Sequence, residues 1–225
     1  MDRNLGALDV YTPSGNTKPA KADAYKYFGV LYQHGRPTPF SGQGAGETVN
    51  TNTAIYNGAA TELSSGTIGG YTQSNTAVSS VTSAIQTPNT YYYSGSSWYN
   101  FADISLWSDY GTNKSIYDPC PYGYRVPVNG SWNSWSSAAA WPNGAIEGGA
   151  VWSSTWWPAA GYRNCNSGAL SAVGNRGYYW SSTRNTSTTY YSYNLRFDYD
   201  GNVYPSNAYY RSFGFSVRCV QERAS

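Results

Sequence analysis

Histidines, cysteines and paired carboxylates carry most enzyme chemistry, and this chain has few of them. Its single histidine, His34, lies between Gln33 and Gly35. Nucleophile–base pairs usually need a histidine held beside its partner. No Cys-rich or carboxylate-rich motif surrounds His34, so it is read as a packed or surface residue. The three cysteines, Cys120, Cys165 and Cys219, do not have metal-ligand spacing. Asp198 and Asp200 are of the type that glycosidases pair. Beside Gly201 they read instead as solvated turn residues. No EF-hand loop or Gly-rich phosphate loop is present. A calcium site made of backbone carbonyls stays open. These residues argue against an enzyme, and no cofactor or metal is expected.

An odd cysteine count in an exported protein suggests one bridge and a leftover thiol. Cys120 and Cys219 sit in ordered-looking segments, whereas Cys165 lies in a Gly/Asn/Ser stretch. A Cys120–Cys219 disulfide is expected, with reduced, buried cysteines as the alternative.

The elements that would position a site start from composition. A chain of 225 residues suits one domain, taken as 1–225. The net charge is +2 with 12% charged residues and no basic run, so no nucleic-acid partner is expected. Apolar runs fall well short of the roughly 20 residues that span a bilayer, so this segment does not insert directly. The opening, Met1 to Gly6, reads as the inside of a domain, so the missing export signal says little about export. Tyr numbers 24 and Trp 9. Tyr with Ser, Gly and Asn is the mixture of evolved binding loops: stiff amphipathic area plus adaptable hydrogen bonds. A β-rich fold with half-buried Tyr and Gly turns gives a similar composition.

Residues 41–76 read as a long polar excursion. Val78, Val81 and Ile85 recur at helical spacing between Ser74 and Gln86, before Pro88, and predict a short helix. Trp132 to Trp141 is a second candidate helix. Tyr27 to Tyr32 fits a strand or a helical turn, and 151–153 and 156–157 fit strands. Trp98, Phe101, Ile104 and Trp107 read as core. Residues 178–182 form a strand. Residues 190–198 alternate strictly, with Tyr191, Tyr193, Leu195 and Phe197 on one face. Asp200-Gly201 signals a hairpin. The last strand is expected to turn Phe213, Phe215, Val217 and Cys219 inward and Ser216 and Arg218 outward.

From Gly148 to Val220 there is no Lys, Glu, Gln or Met. Asparagine codons randomised at both adenines, with a pyrimidine kept third, yield Asn, Tyr, Ser, Thr, Asp, His, Arg, Gly, Ala, Cys or Phe among others. They never yield Lys, Glu, Gln, Met or Trp. The polar face of 184–213 is built from the permitted set, Ser192 and Asn194 included. Drift in a low-charge β protein is the alternative explanation.

Several blocks carry a family resemblance. Residues 1–7 (MDRNLGA) and 118–127 (DPCPYGYRVP) resemble signature segments of the major-paralogous (FISUMP) domain of exported proteins in gut-type bacteria. Residues 177–182 (GYYWSS) and 214–220 (GFSVRCV) resemble its C-terminal signature. From Gly161 onward the chain is similar to the variable region of diversity-generating retroelement target proteins. There, a reverse transcriptase miscopies adenines and rewrites the 3′ end of the gene. The resemblance implies a C-type-lectin-like fold, related in outline to the formylglycine-generating enzyme and to phage tropism determinants. The reactive cysteine pair of that enzyme is absent, so its activity is not implied. The Glu-Pro-Asn and Gln-Pro-Asp triplets of calcium-dependent sugar-binding lectins are absent too.

The combined expectation is an α+β, C-type-lectin-like fold with short antiparallel strands, two short helices and much irregular structure. Trp107, Cys120, Trp152, Trp180, Leu195, Phe197, Phe215, Val217 and Cys219 would be scaffold. The variable binding positions would be Arg196, Asp198, Tyr199, Asp200, Tyr204, Ala208, Tyr209, Tyr210, Ser212 and Phe213, with Arg184 and Thr186. Residues 161–220 would bind a protein or glycan on a cell surface. The setting would be extracellular, on a phage virion tail, a pilus or the bacterial surface, with oligomers possible. Alternatives are a structural adhesin or fimbrial or tail subunit with an invariant Tyr-rich packing surface, and a glycan-processing enzyme with a carboxylate-lined cleft.

Overall fold

The computed structural model describes residues 1–14, 17, 19–20, 23–42, 72–92, 95–100, 106–109, 113–135, 148–152 and 155–222. The expected α+β class is overturned, because strands dominate. Among the described residues there are two α-helices, α1 (Tyr25–Phe28) and α2 (Val81–Gln86), of 4 and 6 residues. The strands in chain order are β1 (Leu31–Gln33), β2 (Thr72–Ser74), β3 (Thr90–Tyr92), β4 (Ser108–Asp109), β5 (Asn113–Lys114), β6 (Tyr124–Arg125), β7 (Gly149–Trp152) and β8 (Thr155–Pro158). Then follow β9 (Tyr162–Arg163), β10 (Leu170–Ser171), β11 (Arg176–Arg184), β12 (Tyr191–Asp198), β13 (Val203–Tyr210), β14 (Gly214–Ser216) and β15 (Val220–Gln221).

A seven-stranded sheet runs β10-β9-β14-β11-β12-β13, with β1 also pairing β14. It is mixed: β11 and β14 pair in parallel, and the other pairs are antiparallel. The pairs β6–β15, β2–β3, β4–β5 and β7–β8 stand apart from it.

Strand β11 lies inside the sheet and is covered on both faces. A strand covered on both sides reads as a continuous apolar run rather than an alternating one, which accounts for Tyr178-Tyr179-Trp180. Tyr178 and Trp180 pack on one side with Tyr32, Trp107, Val126, Phe215, Val217 and the Cys120–Cys219 disulfide. Tyr179 packs on the other side with Leu195, Phe197, Trp132, Trp135 and Ala150. Gly177 lies opposite Phe197, and the Phe197 ring occupies the space a Cβ on Gly177 would need.

The same double cover corrects several inside–outside assignments. Ser192, Asn194 and Ser216 are fully buried, although alternation placed them on the polar face. Asn194 is paired with Trp180, which lies under His34, so that side is covered as well. Tyr191 and Tyr193 are only half-buried, beyond the cluster under Leu195 and Phe197. Arg218 is buried rather than outward. It donates to the carbonyls of Trp156, Met1 and Asp2 and lies over the Trp157 ring. These bonds fix the amino-terminal end on the sheet, as does Leu5 N donating to Val217 O.

The helical stripe at 78–85 also reads differently in three dimensions. Val78 forms an isolated bridge with Tyr99, and α2 begins at Val81, where Ser80 Oγ accepts from Ser83 N. Val81 and Ala84 are buried while Ile85 faces water. Arg36, fully buried, closes the other end. Its guanidinium donates to the carbonyls of Ala84, Thr87, Pro88 and Thr90 and lies among the Phe40, Tyr92 and Trp98 rings. A cation at a helix C-terminus satisfies carbonyls that have no partner in the helix. Tyr27 to Tyr32 holds the end of α1 and the start of β1. Residues 131–134 form a turn and Trp135 is not helical, so the described start of the second expected helix is a turn; 136–141 lie outside the described residues, as do Phe101, Ile104 and most of 41–76.

Candidate functional site

The face of β11, β12 and β13 on the Trp180 side carries the candidate site. Cross-strand register sets out its middle row: Tyr178 on β11 opposes Arg196 on β12, and Arg196 opposes Tyr204 on β13. One pair further along, Arg176 opposes Asp198. Residues directly opposed across antiparallel strands point to the same face.

Beside this row is a notch of about 60 Å³, lined by Tyr162, Arg176, Tyr178, Tyr209, Phe213 and Phe215. Tyr178 and Phe215 are buried and stack at 4.6 Å, forming the floor. Tyr162, Tyr209 and Phe213 are half-buried walls. Tyr162 meets Phe213 edge-on at 5.5 Å, and Tyr209 meets Phe213 at 5.3 Å and Tyr178 at 5.7 Å. Edge-to-face pairs of this kind hold rings in place as well as burying area. Burial, then the neighbouring Tyr209, drives the Tyr178 hydroxyl far above the ordinary phenol range, so it stays a neutral group. Burial works against the charge of Arg176, but Tyr178, Tyr162 and Asp198 outweigh it and raise its pKa. The lining thus offers aromatic faces, neutral phenols and one permanent N–H fork, which can bind but supply no nucleophile with a base.

The expected binding residues are spread over several parts of the fold. Arg196, Tyr204, Tyr209 and Phe213 lie on the notch face. Arg196 pairs with Asp198 at 3.2 Å and stands 4.8 Å from the Tyr204 ring centroid. Tyr199 and Asp200 are exposed at the hairpin tip, and Thr186 is exposed in the β11–β12 turn. Arg184, at the end of β11, is half-buried. Ala208 and Tyr210 oppose Tyr193 and Tyr191 on the other face. Tyr210 is 37% exposed, with its ring 4.7 Å from Tyr191.

Two of the expected residues are buried: Asp198 on the notch face, where it is held by Arg196, and Ser212 in the interior. Asp198 is buried, and its Oδ1 accepts from Asn202 N and Nδ2, which builds the turn. That engagement leaves no open Asp198–Asp200 carboxylate pair. Ser212 is fully buried: Oγ donates to Gly95 O, and its carbonyl accepts from Tyr91 and Gln33 side chains. A side chain so enclosed faces the interior and not a ligand. Arg176, Tyr162 and Tyr178 were missed as site residues. Arg176 gave no signal except its place at the start of a strand whose partner residue is Asp198.

Cys165 is a free, buried cysteine. No group of three or more His, Cys, Asp or Glu residues that would suit a metal occurs among the described residues. No helix among them is long and apolar enough to cross a membrane.

A domain of unknown function, DUF8237, matches residues 148–220. These are the same residues that contain no Lys, Glu, Gln or Met. No curated protein and no solved structure matches the chain.

Proposed function

We propose that this chain is a ligand-binding module whose C-terminal surface, within 161–220, is diversified by a retroelement to recognise varied partners on cell surfaces. One observation carries the reading. Among the described residues five tyrosines are exposed: Tyr122, Tyr190, Tyr199, Tyr204 and Tyr210. Four of the five lie in the β12–β13 hairpin or at its start, inside the span built from residue types that adenine mutagenesis permits. Exposed Tyr supplies large contact area with little ordering cost and is enriched at binding hot spots. Beneath it, Tyr179, Trp180, Leu195, Phe197 and Phe215 are fully buried and take no part in the exposed surface. The protein binds rather than catalyses, and it works outside the cell on a virion tail, a pilus or the bacterial surface.

Deep sequencing of the 3′ end of this gene across a natural population tests the reading. Substitutions concentrated in codons for Arg196, Tyr199, Asp200, Tyr204, Tyr209, Tyr210 and Phe213 are expected. An invariant end, or change spread evenly over all codon positions, would overturn it.

A second reading has its own support. Strand β13 ends the sheet and carries Tyr204 and Tyr210. An eight-residue edge strand is a template for pairing with another chain, as in a fimbrial or tail subunit. That reading requires concentration-dependent assembly of the isolated chain.

A further inference from the structure

We propose that the notch holds the acetamido group of an N-acetylated amino sugar, so that this chain's ligand is a glycan containing N-acetylhexosamine. The proposal rests on the reading of this face as a binding surface and names the ligand chemistry that suits it.

Size narrows the choice first. An apolar cavity of roughly 150 Å³ accommodates benzene, which allows on the order of 25 Å³ per heavy atom. By that measure the 60 Å³ notch admits roughly two to three heavy atoms. A pyranose, phenyl or pyrrolidine ring does not fit inside, whereas an acetyl group does.

Lining chemistry narrows it further. Five rings, Tyr162, Tyr178, Tyr209, Phe213 and Phe215, suit a methyl group. Arg176, in the same lining, suits a carbonyl oxygen with its N–H groups. An ammonium would meet the aromatic faces it prefers but also a guanidinium of like charge. A bare carboxylate would lose its water against the electron-rich ring faces while Asp198 already stands opposite Arg176. An aliphatic tip fills the space but offers no acceptor to the Arg176 side chain. A neutral group with a methyl at one end and a carbonyl at the other meets every part of the lining.

The surroundings favour a sugar over an acetylated lysine. The row Tyr178, Arg196, Tyr204 crosses three strands from the floor of the notch to the edge of the sheet. A sugar carries its acetamido group directly on the ring, so seating that group brings the ring against the rim of the notch, beside this row. There the Arg196 guanidinium, held over the Tyr204 ring and by Asp198, would meet the sugar hydroxyls. In acetyl-lysine four methylenes separate the acetamide from the peptide, which keeps the backbone away from the row. The notch walls Tyr209 and Phe213 belong to the diversified set and the floor does not. Each variant would therefore keep an aromatic floor and change which small group its walls accept.

Saturation-transfer NMR on the 225-residue chain, with EDTA present, tests the proposal. The probes are the methyl glycosides of N-acetylglucosamine, N-acetylgalactosamine and glucose, and an Nε-acetyl-lysine peptide. Expected are strongest transfer to the acetyl methyl of an N-acetylated sugar, no binding of the glucoside, and about tenfold or greater weakening in Arg176→Met. Phe213→Ala, at a half-buried wall, should weaken binding as well and guards against misfolding of the first variant. Equal binding of the glucoside, preferred binding of the peptide, transfer centred on ring protons, or no binding of either N-acetylated sugar would overturn it. A variable gene end with no sugar binding removes the acetamido proposal alone. An invariant gene end removes the retroelement reading, whatever the sugar does.

Discussion

The Tyr178 and Phe215 rings stack with centroids 4.6 Å apart and planes 22° from parallel, across the one parallel pairing in the large sheet. This stack is both core and notch floor, so its two sides answer to different demands. Phe215 is fully buried and also touches Trp180 at 4.3 Å. Phe215→Ala should cost about 3–5 kcal/mol and lower Tm by roughly 10 °C. Tyr210, exposed and tilted against Tyr191, should cost about 0.5 kcal/mol when changed to Ala. Tyr209 lies between: it packs on Tyr178, Phe213 and Phe215, so Tyr209→Ala should cost about 1–2 kcal/mol. Urea unfolding of the three variants checks the order. Equal losses at Phe215 and Tyr210 would show that scaffold and surface are not separable here.

Gly177 gives a sharper test of the other face. It is the cross-strand partner of Phe197, and an added methyl would fall on that ring. Phe197 is fully buried beside Leu195 and Trp135, so the ring has little room to retreat. Gly177→Ala should destabilise by about 1–3 kcal/mol through overpacking. Gly177→Ala combined with Phe197→Leu should recover part of that loss, whereas simple addition of the two costs would rule out the proposed clash. Denaturant melts of the singles and the double decide between them.

What the sequence made legible follows from how local each signal is. Asp200-Gly201 did mark the turn between β12 and β13, and Leu195 and Phe197 do face a core, because turn chemistry and side-chain alternation act within a few residues. Alternation failed at Ser192, Asn194, Ser216 and Arg218 because it assumes one wet face. The cover on the second face comes from distant segments: His34 and Trp107 beside Trp180, and Met1, Asp2 and Trp157 around Arg218. The α+β expectation failed because strands dominate; the helical spacing of Val78, Val81 and Ile85 did mark a short helix, Val81–Gln86, but Val78 lies outside it in a bridge with Tyr99 and Ile85 faces water. The notch was not legible at all. It joins Tyr162 on β9, Arg176 on β11 and Phe213 before β14, and only the sheet order brings these together. The walls Tyr209 and Phe213 were found because they fall in a compositional window, not because of any contact.

The disulfide should matter more than its local contacts suggest. Cys120 and Cys219 are 99 residues apart and join the turn before β6 to the last strand region. Closing a loop of that size removes much freedom from the unfolded chain, an effect of about 2–5 kcal/mol. Hydrogen bonds converge nearby, with Met1 N donating to Cys219 O and Lys114 Nζ to Cys120 O. Replacing both cysteines with Ala should therefore lower stability by about 2–5 kcal/mol while leaving Cys165 buried and unreactive. Guanidinium melts of the double variant, with thiol labelling under native conditions, provide the check. An unchanged midpoint would show that the bridge contributes no net stability.

His34 should make the fold sensitive to mild acid. The imidazole is buried between Trp107 and Trp180, with ring centroids at 4.9 and 5.3 Å. Nε2 lies 3.1 Å from Ser181 O, which can only accept, so Nε2 carries the hydrogen in a neutral ring. Burial first, and Arg211 second, push its pKa down to about 3 against the weak pull of the Ser181 bond. In the unfolded chain the ring titrates near 6.5. Between those values the unfolded state binds a proton that the folded state refuses, so folding stability is complete above about pH 6.5 and falls as pH drops toward 3. The slope is about 1.4 kcal/mol per pH unit at most. Urea unfolding at pH 7.0 and 4.5 should therefore show a loss of about 2–3 kcal/mol beyond that of His34→Gln, whose amide can still donate to Ser181 O. If the two proteins lose stability in parallel, the acid sensitivity comes from carboxylates and His34 is only a packed ring.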